Sequence, residues 1–440
     1  MSWLRERRVA LAALTLFTLL AGDVWRYSIT WFGWGAIIAG LLACWVVIAV
    51  RERVDVRRIP KPLAALLMLM VASILWSAYP GASALGALST LVTAFGAIVM
   101  AKTVGLPSML RALGVALRWV IGLSLVFELA VEVLVGRPIL PLWVSYEEPF
   151  PRAYYWSRSL LFDGGRIQGI MGNANLLGLA ALLAIIVFSI QLADRRVGRV
   201  AGIAWLIAAV AAFALSGSGT VIAMTIAVAA VLGVLLIARR LGTRGRLILY
   251  GVFAAGTAAF TALVLALREP LLDLLGRSSD LTFRLDIWAS VVELIGERPV
   301  LGWGWVSYWA PWVAPFDDLA VYGGVRYLQA HSAWLDVAFQ LGLVGAAVFA
   351  ALAITTLLRC WSWAVDAPSD PRAATPALRL LPALLIVALL VQSLAESRIL
   401  VEAGWLLLVY LAVASRSHSG WFEAPPRPAL AGGSRDRART

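Results

Sequence analysis

Residues 333–358 read AWLDVAFQLGLVGAAVFAALAITTLL, and they follow a polar stretch that runs from Phe283-Arg284-Leu285-Asp286-Ile287-Trp288 to His331-Ser332. A helical run of that length, rising 1.5 Å per residue, crosses roughly 30 Å of hydrocarbon. The pattern recurs along the chain. Apolar runs occupy 9–25, 29–50, 62–79, 82–101, 113–135, 171–193, 198–216, 219–238, 247–267, 377–393 and 400–414 as well. Together they predict an all-α, polytopic transmembrane bundle of about twelve spans. Composition requires the same answer, because 440 residues that are 61% hydrophobic and 14% charged, with 20 Trp, expose more apolar surface than one soluble core can hide.

Charge orients the bundle. Arg51, Arg53, Arg57, Arg58 and Lys61, then Lys102 and Arg111, Arg195, Arg196 and Arg199, Arg239, Arg240, Arg244 and Arg246, and Arg359, Arg372 and Arg379 fall on alternate loops of one side, with both termini. The positive-inside rule makes that side cytoplasmic and predicts a multi-pass membrane protein with both termini inside. The net charge of +12 is therefore a topology signal, and no nucleic-acid partner is expected. The first run follows Arg5, Arg7 and Arg8 like a signal peptide, but Ala21-Gly22-Asp23 is a poor cleavage site and another span follows at once, so it is read as a helix. Cys44 and Cys360 sit in no ligand spacing.

The chain divides into a five-span region (1–135), an extracytoplasmic loop (136–170), a four-span region (171–267), a large extracytoplasmic loop (268–332), a three-span region (333–414) and a basic, Pro/Gly-rich cytoplasmic tail (415–440) expected to be disordered. Long loops on a packed bundle are where sites are carried. No internal repeat of the kind that pairs transporter halves is visible.

In the large loop, Ser279-Asp280 followed by Leu281 to Gly296 predicts a short amphipathic helix ended by Arg298-Pro299. At about 100° per residue, Thr282, Asp286, Ser290, Glu293 and Glu297 share one face, and Leu285, Ile287, Trp288, Val291, Val292 and Ile295 cover most of the rest. Arg284 falls in the middle of the apolar arc. A guanidinium there is costly unless it meets an anion, and its donor fork suits phosphate; the plainer alternative is that Arg284 snorkels or pairs with a structural carboxylate such as Glu396 or Glu402. His331 lies at the N-terminal end of a span, where the helix dipole disfavours imidazolium and leaves a neutral ring able to take a proton. An interfacial polar anchor is the plainer reading, and no carboxylate is obviously placed to orient the ring. In the other loop, Gly164-Gly165-Arg166-Ile167-Gln168-Gly169 leads through Met171-Gly172-Asn173-Ala174-Asn175 into a span. Its glycines and helix N-terminus suit an anion beside Arg166, or else form an ordinary loop with an Asn cap. No nucleotide loop is present, and Asp317-Asp318 is the nearest thing to a metal site, so no metal or cofactor is expected. The Trp and Tyr residues of 143–156 and 303–327 suit sugar stacking and interfacial anchoring equally.

The ordered set Arg166-x-x-Gly169 with Asn175 opening a span, Arg284-x-x-x-Trp288, Pro299-x-x-Gly302-x-Gly304, and His331-Ser332 followed by Gln340-Leu341-Gly342-x-x-Gly345 resembles the O-antigen ligase and polymerase superfamily over roughly residues 160–358. The resemblance implies a glycosyltransferase that moves a glycan from undecaprenyl diphosphate to a hydroxyl of a lipid- or glycan-bound acceptor at the outer face of a bacterial cytoplasmic (inner) membrane. It implies that Arg284 grips the diphosphate and His331 activates the acceptor, with Arg166, Asn175, Arg326 and Trp288 as further donor contacts. Many relatives carry Ser-Arg-Gly where this chain has Ser216-Gly217-Ser218-Gly219-Thr220, so Arg166, Arg158 or Arg326 has to supply the missing cation, or the donor is handled differently. The alternatives are a membrane solute transporter, for which Arg118, Glu128 and Glu132 are the main intramembrane charges, and a non-catalytic part of a polysaccharide export assembly.

Overall fold

The computed structural model describes residues 2–143, 151–267, 279–322, 324–366 and 374–416. The expected disordered tail lies almost wholly outside them, as does part of the aromatic run 143–156. Among the described residues there are thirteen α-helices: α1 Ser2–Leu20, α2 Gly22–Arg51, α3 Lys61–Ala72, α4 Pro80–Thr103, α5 Leu106–Ala130, α6 Ala174–Ala193, α7 Arg199–Ser216, α8 Gly219–Ala238, α9 Thr243–Ala266, α10 Ser279–Glu297, α11 Ala333–Val365, α12 Leu381–Ser393 and α13 Glu402–Ala414. A two-residue hairpin, β1 Val321–Tyr322 with β2 Val325–Arg326, is the only sheet among them.

Eight helices are long and apolar enough to cross a membrane: α2, α4, α5 with its π-helical continuation to Val135, α6, α7, α8, α9 and α11. Twelve runs were expected to span, and the other four differ for physical reasons. The first turns of α1 carry Arg5, Glu6, Arg7 and Arg8. Helices α3, α12 and α13 have 12, 13 and 13 residues, which at 1.5 Å each reach roughly 18–20 Å. Yet α12 and α13 are the centre of the bundle, with every residue from Leu381 to Leu389 and from Trp405 to Ala414 buried. A helix apolar all round belongs in such a position. At the rim, no described side chain of α9 is buried. Phe32 (90% exposed) and Leu75 (88%) likewise turn outward, as lipid-facing side chains do.

Polar contacts gather at two opposite faces. On one, Arg8 pairs with Glu52, Arg239 donates to the Ala364 and Pro376 carbonyls, Arg246 pairs with Asp366, and Thr375 donates to Asp194. The other face holds the loops around 152–172, 301–332 and 394–401.

At this second face the chain dips inward beside α3 and α11. Trp305 donates its N–H to Ser73 Oγ and its indole to Thr90 Oγ1 (both 3.0 Å), and Trp76 donates to the Leu301 carbonyl. Opposite them α11 breaks at Gly342 (φ 67°, ψ −170°), and residues 299–304 run along the break. Trp303 N–H donates to Phe339 O, Gly304 N–H to Gln340 O, and Leu343 N–H to Pro299 O, at 3.0, 2.9 and 2.8 Å. The Gly302-x-Gly304 and Gln340-Leu341-Gly342 motifs are thus two halves of one backbone contact. Short α3 and broken α11 leave irregular backbone, which is tolerated in a membrane protein where protein buries it.

Helix α10 spans the expected stretch, but its buried stripe is narrower than its apolar arc. Ile287 and Val291 are buried against Trp309, Phe316 and Phe339, whereas Leu285 and Val292 are about half exposed, at 48% and 55%. The helix needs only one stripe at i, i+4, i+7 to dock, and that stripe includes Arg284.

Candidate active site

The loop 152–172 is fixed by a carboxylate. Glu128, buried near the end of α5, accepts from Ser157 Oγ (2.6 Å), Gln168 N–H (2.9 Å) and Gly169 N–H (2.6 Å). Asn173 caps α6, its side chain accepting from the N–H groups of Asn175 and Leu176. These N–H groups are met within the protein, and Asn173 is the ordinary Asn cap that one of the two readings named. Their effect is to aim Arg166 and Asn175. Replacing Glu128 by Gln puts an amide N–H against these donors and is expected to cost about 1–3 kcal/mol of stability, read as a lower unfolding temperature of the purified protein. Neighbouring charges have partners too: Glu132 accepts from Ser159 Oγ, and Arg118 donates to Gln191 Oε1.

Arg166 lies over the Ser216–Ser218 turn. Its Nε donates to the Ser216 carbonyl (3.1 Å) and its Nη2 to Asn175 Oδ1 (2.6 Å), and its side chain runs close over Gly217. Asn175 Oδ1 also accepts from Ser218 Oγ (2.8 Å). Of the three candidates for the missing cation, Arg166 is the one whose guanidinium occupies the Ser216–Gly219 neighbourhood.

Asn175 connects to the second group through Glu396. This residue sits in the break between α12 and α13, only 6% exposed. Its Oε1 accepts from Arg284 Nη2 (2.7 Å) and Asn175 Nδ2 (3.4 Å), and its Oε2 lies 3.1 Å from His331 Nδ1 and accepts from Gln329 Nε2 (3.2 Å). Burial alone would raise this carboxyl, but His331, Arg284 and Arg398 hold it down at about 2, below its ordinary 4.5. It is therefore ionised at neutral pH. The stability it contributes is complete above pH ~4.5 and is lost as pH falls towards 2. The stability difference between parent and Glu396→Gln protein, followed by thermal unfolding against pH, should shrink over that interval.

Two anchors hold the His331 backbone, which adopts φ 51°. Trp288 donates its indole to the Ala330 carbonyl (2.9 Å), and Ala330 N–H donates to Asp336 Oδ2 (3.1 Å) in the first turn of α11. Asp336 also accepts from Trp309 Nε1 (2.8 Å) and from Ser397 Oγ. One buried carboxylate thereby joins the neighbours of His331 and Glu396. Non-glycine residues at positive φ concentrate where surrounding contacts over-determine them.

The expected residues Arg166, Asn175, Arg284 and His331 are brought together. Trp288 is a buttress for the loop. Arg326 is set apart: its side chain is exposed and donates to the Pro311 carbonyl (3.3 Å). Asp317 and Asp318 are exposed, and among the described residues no three metal-ligating side chains cluster. Beside Glu396 lies a second charge group that sequence reading did not find. Arg398 donates to Tyr308 OH and to Glu402 Oε2 (3.0 Å), and Arg26 donates to Glu402 Oε1 (2.5 Å) and Asp23 Oδ1 (2.9 Å) beneath Trp31 and Trp34. The signal was the charged interruption Glu396-Ser397-Arg398 between two apolar runs.

The fold defines a multi-pass membrane protein in which a partly exposed histidine and arginine meet a buried carboxylate where its loops converge. Residues 169–350 match the family model described as O-antigen ligase, which supports the O-antigen ligase and polymerase superfamily and marks this as an O-antigen ligase-like bacterial membrane protein. No curated protein matches the chain. The matched segment contains Asn175, Arg284, Trp288, Arg326 and His331, while Arg166 and Glu396 lie outside it.

Proposed function

We propose that this protein transfers a glycan from an undecaprenyl-diphosphate donor to a hydroxyl of a lipid- or glycan-bound acceptor at the extracytoplasmic face of the bacterial cytoplasmic membrane. The observation that carries the proposal is the hydrogen-bonded path Arg166–Asn175–Glu396–Arg284 with His331 on the same carboxylate. Diphosphate is already a good leaving group. The protein has to neutralise its charge, hold the sugar carbon in line and accept one proton. In one step the acceptor oxygen bonds to the anomeric carbon as the bond from that carbon to the phosphate oxygen breaks. The electron pair leaves with the diphosphate, towards Arg284 and Arg166, and the hydroxyl proton goes to His331. Attack from the opposite side inverts the anomeric centre. No cofactor is called for.

The test is transfer by the purified protein in lipid nanodiscs, from a synthetic polyprenyl-diphosphate oligosaccharide to a panel of lipid and oligosaccharide acceptors. Inverted product is expected. The reading fails if the folded parent protein releases no polyprenyl diphosphate with any acceptor.

A further inference from the structure

We propose that Glu396 is a positioning residue that selects the tautomer of His331, holding the proton on Nδ1 so that Nε2 presents a lone pair. The catalytic consequence rests on the function proposed above, while the tautomer itself does not. The reasoning starts from donors and acceptors. An ionised carboxylate only accepts hydrogen bonds, so the 3.1 Å approach of Nδ1 to Glu396 Oε2 requires Nδ1–H. Gln329 Nε2 lies 3.3 Å from the same ring nitrogen and 3.2 Å from Oε2; with Nδ1 protonated it donates to the carboxylate. Nε2 then has no hydrogen-bond partner among the described residues, and the side chain is 14% exposed, enough for a hydroxyl to reach it.

The groups around the ring all bear on this choice. Arg284 binds the other carboxylate oxygen, Arg398 lies close enough to depress the carboxyl, and Arg166 reaches it through Asn175. Asp336 interacts electrostatically with His331, and Tyr327 meets the imidazole at 5.7 Å between ring centres, edge to face. When Nε2 takes a proton, the resulting imidazolium is already hydrogen-bonded to an anion. Asp336 keeps that geometry by tying Ala330, beside His331, to Ser397, beside Glu396.

Glu396→Gln makes the choice visible. An amide has one oxygen, and Arg284 can only donate, so Arg284 takes it. The amide N–H₂ then faces Nδ1, which must become the acceptor, and the ring proton moves to Nε2. The chain has two histidines, so ¹⁵N-histidine labelling in a His418→Ala background leaves one imidazole to observe by NMR. The expected result, read on the neutral imidazole at the alkaline end of a pH series, is an unprotonated Nε2 in the parent and a protonated Nε2 in Glu396→Gln. Gln329→Leu should keep the parent tautomer. In transfer assays Glu396→Gln should lower kcat by about 10²–10⁴ with little change in donor KM. Glu396→Asp should recover part of the loss. The same tautomer in parent and Glu396→Gln overturns the inference, as does a tautomer change in Gln329→Leu. If Glu396→Gln does not fold, the parent spectrum decides alone, since a neutral imidazole protonated on Nε2 there is incompatible with it. A tautomer switch in a parent that transfers no glycan leaves this inference standing and removes the proposed function.

Discussion

Replacing His331 by alanine is expected to slow glycan transfer by about two to four orders of magnitude, the usual contribution of one positioned general base. The side chain is one of four groups around Glu396, and Arg284 and Gln329 remain to satisfy that carboxylate, so the fold should survive the change. The measurement is initial rate with the diphosphate donor, together with the unfolding temperature, so that loss of chemistry is separated from loss of fold. Arg284→Ala should cost about 10²–10³ in rate if its guanidinium meets the developing diphosphate charge. It should also destabilise, because it removes the closest cation from a buried carboxylate. A folded His331→Ala protein that transfers glycan as fast as the parent would remove His331 from the mechanism.

Gly342→Ala is expected to be severely damaging. At φ 67° and ψ −170° the backbone occupies a region that is essentially restricted to glycine. The added Cβ would lie 2.2 Å from the Val300 carbonyl oxygen and 2.5 Å from Leu301 N. Both obstacles are backbone, so neither can swing aside. Gly302 faces the same contact from the 299–304 segment, with φ 68° and a Cβ that would meet Gln340 and Gly342 backbone at 2.6 Å. Strain of about 1–3 kcal/mol adds to the loss of the pairing between 299–304 and α11. The expected outcome is little folded protein from Gly342→Ala or Gly302→Ala, read by the recovery of monodisperse protein from membranes. Normal recovery of both would mean that the contact is dispensable.

Helix existence was legible from sequence because apolar runs need no partner to declare themselves in a membrane protein. Each of the twelve runs contains a helix, and the amphipathic stretch beginning at Leu281 is a helix as well. Arg284 could be singled out for the same reason: helical phase alone puts it among apolar neighbours. Length was harder. Runs 62–79, 377–393 and 400–414 are apolar throughout, but their helices stop early where loops pack into the bundle. Hydropathy does not distinguish an apolar residue in a helix from one in a packed turn.

What the sequence determined by itself was the helical membrane class of the fold, the resemblance carried by its ordered motifs, and Arg166, Asn175, Arg284 and His331 as candidates, since each of these is read from local patterns. It left open whether Arg284 meets a phosphate or a carboxylate, and which arginine stands where the family motif lacks one. Only the tertiary structure decided that Glu396, 65 residues after His331 and 112 after Arg284, binds both, and that Arg166 covers the Ser216–Gly219 turn. The physical reason is that a hydrogen bond between residues so far apart depends on how α10, α11, α12 and α13 pack. No local period in the chain encodes that packing.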